Sequence, residues 1–398
     1  MLDKIKSLTD HYHADTVAIR RHLHRHPELS FQEEKTGRYI AERLAAYGVA
    51  HEHGWATNGV VGLIRGKNPG SRTVALRADI DALPITEANE VPYKSRSEGV
   101  MHACGHDAHT ASLLGAARVL QELKNDFSGT IKLIFQPAEE MHPGGASLLI
   151  EEGVLENPRP ASIIGQHVHP PLAVGKVGMR PGMYMASADE LYVSVRGRGG
   201  HGALPQDCID PIVVTSHLIT ALQQIVSRRA TPTTPSVLTL GKINSTGGNT
   251  NVIPNEVKLM GTFRTMDEEW RHEAHRLMQR LANGLCESMG ANCDFQIKVG
   301  YPFLVNEPRL TQRTFEGASA YLGAENVAEL PIRMTAEDFA YYSHELPGCF
   351  YRLGTGNAER GITSPVHTTT FDIDEEALRV GAGLMAYLAT EELRFQRE

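Results

Sequence analysis

The sequence predicts an α/β chain in two parts, a mixed-sheet domain interrupted by a smaller α+β insert of ferredoxin-like order. Three observations lead there. At 398 residues the chain exceeds the size at which a single core keeps growing, so two domains are expected. Short apolar runs alternate with helical segments through the first half, the pattern of a parallel or mixed sheet. From about Asp189 to Gly300 the order changes to βαββαβ.

Residues 1–26 carry charges throughout, lack the apolar run of a signal peptide, and read as an amphipathic starting helix. Residues 73–76 (TVAL) form a buried strand that ends in Arg77-Ala78-Asp79-Ile80-Asp81. A helix follows over 108–124, with leucines at 113, 114, 120 and 123. Residues 130–135 (TIKLIF) form a second strand, ending in Gln136-Pro137-Ala138-Glu139-Glu140, and residues 161–164 (ASII) a third, ending in Gly165-Gln166-His167-Val168-His169. All three runs place polar residues past their carboxyl ends, where ligands bind in open sheets. The insert reads as strand 191–196, helix 211–229, strands 236–244 and 252–264, helix 268–288 and strand 292–299. Residues 1–187 and 301–398 then form one discontinuous domain, and 188–300 a compact insert whose ends lie close together.

Composition narrows the function classes. Hydrophobic residues make up 41% and charged residues 22%, the balance of an ordinary globular protein. A net charge of −8, from 47 acidic against 39 basic residues, gives no global field favouring nucleic acid or an anionic membrane, and neither is expected as a partner. The longest uncharged stretch, 211–227, contains Thr215, Ser216, His217, Gln223 and Gln224 and makes a poor membrane span. Five cysteines, Cys104, Cys208, Cys286, Cys293 and Cys349, are odd in number and scattered. They argue against a disulfide framework and for a reducing cytoplasm.

The densest chemical signal is residues 102–110 (HACGHDAHT), where a thiol, imidazoles and a carboxylate crowd a loop before a helix. Metal binding is the obvious chemistry. A closed structural zinc site needs four ligands, commonly as paired Cys or His motifs; one cysteine is present here, so other ligands must come from elsewhere. Cys104 and His106 are candidate ligands, and Asp107 and His109 fit the role of orienting them. Neighbouring side chains on an extended chain point in different directions, so Glu139 and Glu140 divide their work. One can bind metal while the other takes a proton from metal-bound water and returns it to a leaving nitrogen. His167 lies just past its strand, with His169 the weaker rival, and His367 offers a mobile ligand donor in the loop 363–374 (TSPVHTTTFDID). Taken singly, each histidine is equally explained by packing or helix capping. Two further segments carry less. Residues 197–202 (GRGGHG) match GxGxxG, but Pro205 follows closely and no long helix opens, which disfavours a nicotinamide oxidoreductase. His22, His24 and His26 lie in a charged segment where only His22 and His26 share a helix face, and read as surface histidines.

Together HACGHDAHT, QPAEE, QHVHP, GRGGHGALP, NVIPNEVKLMGTFR and TAEDFAYY resemble the M20 peptidase and amidohydrolase family over essentially the whole chain. The branch is that of hippurate hydrolases and auxin-conjugate amidohydrolases. The resemblance implies a mixed-sheet metallohydrolase catalytic domain with two divalent metal ions per subunit. Their ligands would be Cys104, His106, Glu140, His167 and His367, with Cys104 bridging and Glu139 as general base and acid. Asp79 looks like the carboxylate that supports a metal-side group in related enzymes, and Arg77 stands where other branches place a histidine ligand. The insert would act as a lid and dimerisation domain, so a homodimer is expected. There His201 matches the histidine that contacts the scissile carbonyl, often from the partner subunit, and Asn251 and Arg264 look like anchors for the substrate carboxylate. The planar donor fork of a guanidinium suits that carboxylate.

The wording departs from the family in three places: Gln206 where a histidine often stands, Gln166 before His167, and 363–370 in place of a His-Ser/Asn-Pro run. His367 keeps the family spacing to Phe371 and to Asp374-Glu375. The implied reaction is cleavage of the amide bond of small N-acyl amino acids, of acetyl, benzoyl or arylacetyl type, by metal-activated water. Dipeptidase or carboxypeptidase action and a non-catalytic binding protein are the alternatives on this scaffold. A thiolate suits zinc, while carboxylates and water also admit manganese, cobalt or nickel.

Overall fold

The structure, a computed structural model, describes residues 1–395, so that 396–398 of the expected 301–398 segment lie outside the described residues. The chain divides into two compact units: Met1–Gly182 with Val305–Pro331 and Asp338–Glu398, and Met183–Leu304 with Ile332–Glu337.

In the first unit an eight-stranded sheet carries the expected apolar runs at its centre. Thr130–Gln136, Thr73–Asp79, Ser162–Ala173 and Gly348–Gly356 lie side by side and parallel. Gly59–Arg65 and Ala50–Trp55 extend one side in antiparallel fashion. Val177–Met179 and Val327–Glu329 complete the other. Thr73–Asp79 and Thr130–Gln136 are buried along their whole length, which is why they read as unbroken apolar runs rather than as alternating ones. Helix His106–Glu122 is buried on nearly every face and shares one core with Ile5, Ile19 and Leu23 of helix Leu2–Arg25 and with Leu384, Met385 and Leu388 of helix Ala377–Arg394.

One expectation needs correction. The strand expected to stop at Ile164 runs on to Ala173, because its parallel ladder with Gly348–Gly356 continues through Arg352↔His167 and Gly354↔His169. Pairing with Thr73–Asp79 ends earlier, at Arg77↔Gly165. His167 therefore lies inside a strand, two residues past its last pairing with Thr73–Asp79.

The second unit holds a four-stranded antiparallel sheet in the order Ser236–Ser245, Glu256–Thr265, Asp189–Arg196, Asn292–Val299. Numbered along the chain that order is 2-3-1-4, the ferredoxin-like arrangement. Leu191, Val193 and Val195 alternate inward and share a core with Val214, Leu218 and Leu222 of helix Pro211–Gln224 and with Met278, Ala282 and Cys286 of helix Glu268–Ser288. The strand expected over 252–264 is broken at Pro254, which has no amide hydrogen for the ladder. Val252–Ile253 pairs instead with Gly200–His201, and Glu256–Thr265 joins the sheet. Backbone bonds explain why this unit takes in residues beyond 188–300. Ala186 N donates to Arg333 O and Thr335 O (both 3.1 Å), Ser187 N to Thr265 O (2.7 Å) and Ala188 N to Tyr301 O (3.0 Å). Among the described residues no helix is long and apolar enough to cross a membrane.

A buried ion cluster ties this unit together. Asp189 accepts from Arg271 Nε (3.0 Å), His275 Nε2 (2.7 Å) and Gly300 N (3.1 Å). Burial works to raise its pKa, but His275 and Arg271 prevail and hold it at about 2. A carboxylate depressed in the folded state stabilises above its unfolded pKa of about 4, by about 2–3 kcal/mol here, and that stability is lost as pH falls towards 2. Thermal melts of the parent and Asp189→Asn should therefore differ clearly at pH 7 and converge between about pH 4 and pH 2. A gap that stays constant down to pH 2 contradicts this assignment.

Candidate metal centre

Each side chain reaches the first unit's centre through a local backbone feature. Gly105 adopts φ 84°, and a Cβ there would lie 2.5 Å from Val168 Cγ2. Only glycine fits that turn and that approach to the sheet. The turn ends where helix His106–Glu122 begins, so Cys104 and His106 flank it. Asp79 closes its strand and Asp81 follows two residues on, on the same side of an extended chain. Glu139 and Glu140 follow strand Thr130–Gln136 through Ala138, which is left-handed at φ 53°. His367 is also left-handed, at φ 62°, and its amide donates to Ala103 O at 2.8 Å. The expected mobile donor is thus fastened beside the Cys104 turn.

The six residues converge. Cys104 Sγ lies 3.4 Å from His167 Nε2 and 3.3 Å from His367 Nε2, and His367 Nε2 lies 3.2 Å from Glu140 Oε1. His106 Nε2 stands 4.0 Å from Glu139 Oε2, 4.0 Å from Glu140 Oε1 and 3.9 Å from Asp79 Oδ1. Among the described residues five donor groups bring ligand atoms within 4.8 Å of one another, and three of them draw only on these six residues: Cys104–His106–His167, Cys104–Glu140–His367 and His106–Glu139–Glu140. Cys104 belongs to two of them, as does Glu140.

The surroundings fit a cation. His106 Nδ1 is bonded to Asp81 Oδ1 at 3.0 Å, while its buried Nε2 has no hydrogen-bond partner among the described residues. That nitrogen faces carboxylate oxygens too distant for hydrogen bonds and spaced for an ion between them. Charge points the same way. Burial works to lower His106, but Asp79 and the Asp81 hydrogen bond hold it well above the usual imidazole range. Hydrogen bonds to Cys104 and Glu140 push His367 up to about 10. Burial and the Glu140 carboxylate raise the Cys104 thiol, and burial with Arg352 lowers His167. His106, His367 and Cys104 thus hold protons that a divalent cation would displace on binding, while His167 already presents a neutral ring.

Supporting groups are fully engaged. His109 Nδ1 donates to Asp79 Oδ1 (2.5 Å) and its Nε2 accepts from Val168 N (2.8 Å), so both ring nitrogens are committed and it orients rather than ligates. Arg77 donates to Gln136 Oε1 (2.9 Å), Asp79 Oδ2 (2.7 Å) and Asp338 Oδ1 (2.7 Å), bracing neighbouring strand ends. Burial works to raise Asp79, yet His106, His109 and Arg77 hold its carboxyl well below the usual range.

Three expected residues, His201, Asn251 and Arg264, lie in the second unit. There His201 pairs with Val252, Gly202 N donates to Asn251 O at 2.7 Å, and Arg264 Nη1 donates to Met334 O at 3.3 Å. His24 corrects another expectation. It is wholly buried, bonded to Asp107 Oδ2 (2.8 Å) and Glu87 Oε1 (3.2 Å), with Arg20 Nε on the same Asp107 oxygen at 2.8 Å. Its signal was the stripe Thr16, Ile19, Arg20, Leu23, His24 on one helix face. Asp81 had no role assigned from sequence, yet it anchors His106; its two-residue spacing from Asp79 was the available clue.

A mixed α/β sheet whose strand ends gather a thiol, three imidazoles and paired carboxylates defines a metal-binding hydrolase. Residues 75–391 match peptidase family M20/M25/M40, and the chain belongs to that family of amide-bond hydrolases. It is 43% identical over 304 residues, 76% of this chain and 81% of the other, to an N-acyl-L-amino acid amidohydrolase of Geobacillus stearothermophilus. It is 38% identical over 392 residues, 98% of each chain, to thermostable carboxypeptidase 2 of Saccharolobus solfataricus. The crystal structure of the Bacillus subtilis YxeP protein, described as a dinuclear metal binding peptidase of the M20 family, superposes with TM-score 0.82 at 34% identity. That match covers 96% of this chain and 99% of YxeP.

Proposed function

We propose that this chain is an N-acyl-amino-acid amidohydrolase that binds two divalent metal ions and splits its substrate into a carboxylic acid and an amino acid. The observation that carries the reading is Glu139, buried and 4.0 Å from the unpartnered His106 Nε2, beside a donor set suited to cations. Cys104, His106, Glu140, His167 and His367 would hold the ions. Zinc suits the thiolate, and manganese, cobalt or nickel the remaining donors. When bound, such ions lower the pKa of water and polarise the scissile carbonyl.

Glu139 takes the proton of the attacking water and returns it to the amide nitrogen as the amino acid leaves. The Asp338 amide, 3.4 Å from Glu139 Oε1, helps fix that carboxylate. Asp81 fixes the ring of His106 through Nδ1 and so presents Nε2. Asp79 holds His109 and Arg77 in place. His201 is proposed to donate to the developing oxyanion, and Asn251 and Arg264 to bind the substrate carboxylate. A homodimer formed through the second unit, in the cytoplasm, completes the proposal.

The 43% identity to the amidohydrolase favours N-acyl amino acids, and the 38% identity to the carboxypeptidase supports peptide cleavage as the second reading. A hydrolysis screen separates them. N-acetyl, N-benzoyl and indoleacetyl amino acids should exceed unblocked dipeptides and N-blocked peptides in kcat/KM by about 10-fold or more. The reverse order would establish the peptidase reading.

A further inference from the structure

Glu33 is a fully buried carboxylate with no role in the chemistry above. It stands at the start of helix Glu34–Ala46, where its carbonyl accepts from Gly37 N at 2.8 Å. Its side chain reaches across sequence: Oε1 accepts from the Ala138 amide at 2.7 Å, and Oε2 accepts from Asn58 Nδ2 at 3.1 Å. Among the described residues it has no cationic partner. A buried carboxylate lacking one is expensive to keep, and burial together with the Asp81 charge pushes it up to about 7.

The residue it grips explains why it is there. Ala138 is left-handed at φ 53°, a conformation that a residue with a Cβ rarely adopts. Its carbonyl accepts from Gly145 N at 3.0 Å, and a Cβ on Gly145 would come within 1.8 Å of Pro137 O, so the loop is folded tightly back on itself. Two residues on, Glu140 N donates to Asp81 Oδ2 at 3.0 Å. The peptide carrying Glu139 is therefore clamped by a buried carboxylate on each side. Asp81 also holds His106, whereas Glu33 holds nothing else in the centre.

We propose that Glu33 is a positioning residue for Glu139 and Glu140: by accepting the Ala138 amide it fixes the left-handed turn that aims both carboxylates at the metal centre. The proposal rests on the roles assigned above to those two glutamates. The contact needs an acceptor, not a charge. Glutamine keeps that acceptor, and its amide can pair with a turned Asn58 side chain.

The test compares Glu33→Gln, Glu33→Leu and Glu139→Gln in full-length protein reconstituted with cobalt. Readouts are kcat and KM on an N-acyl amino acid, together with the visible spectrum and stoichiometry of bound cobalt. A carboxylate misplaced by about 1 Å loses about 100-fold in rate. Glu33→Leu should therefore lose about 100-fold in kcat with KM within about threefold, and its cobalt bands should shift. Glu33→Gln should keep the parent spectrum and a kcat within about threefold. If Glu33→Leu is insoluble, Glu33→Asp, one methylene too short to reach Ala138, should show the same loss. A parent-like kcat and spectrum in Glu33→Leu or Glu33→Asp overturns the proposal, as does equal damage in Glu33→Gln. Failure of the underlying reading shows separately, as full activity in Glu139→Gln.

Discussion

Glu139→Gln is expected to retain its bound metal and to lose about 10²–10⁴-fold in kcat, the range spanned by a positioned general base and acid. The amide is nearly the same shape as the carboxylate and still offers an oxygen to the Asp338 amide, so the fold around it has no reason to move. It cannot carry a proton between water and the leaving nitrogen. Glu140→Gln should behave differently. Glu140 Oε1 lies 3.2 Å from His367 Nε2 and shares a donor group with Cys104 and His367, which Glu139 does not, so its loss should lower metal stoichiometry as well as rate. Elemental analysis of both variants beside their steady-state kinetics reads the division directly. Equal metal loss in the two would show that the adjacent glutamates do not divide base and ligand as assigned.

The separation between these neighbours was legible in part. An apolar strand that ends in two glutamates announces a site at its carboxyl end, and alternation on an extended chain announces that the two must differ. What places them is the left-handed Ala138 and its partner Glu33, more than a hundred residues earlier. No periodicity links those positions. The central strands were readable because burial on both faces leaves unbroken apolar runs, and the order of the second unit was readable because its strands alternate. The extension of the Ser162–Ala173 strand past His167 was not readable, since its ladder partner, Gly348–Gly356, lies far along the chain. The break at Pro254 was readable in principle, because a proline inside an apparent strand argues against that strand.

Charged residues in the core were the least legible feature. Arg77, buried among Gln136, Asp79 and Asp338, and His24, buried against Asp107 and Glu87, look like surface residues by type. Each is tolerated only because its partners come from distant segments that fold around it. Cys104, His106, Glu139, Glu140, His167 and His367 were named from motifs and a family resemblance, and the fold brings all six together. His201, Asn251 and Arg264 were named in the same way, and their roles rest on the proposed reaction.

The measurement that tests the central claim most directly is amide hydrolysis by protein freed of metal with a chelator and then titrated with zinc, manganese, cobalt or nickel. An N-acyl amino acid serves as substrate, and bound metal is counted at each point. Activation of water and polarisation of the carbonyl together supply several kcal/mol, so chelation should lower the rate by about 10³-fold or more. Return of activity should track metal bound, rising as the second ion per chain is filled. Undiminished hydrolysis by protein shown to hold no metal would contradict the account.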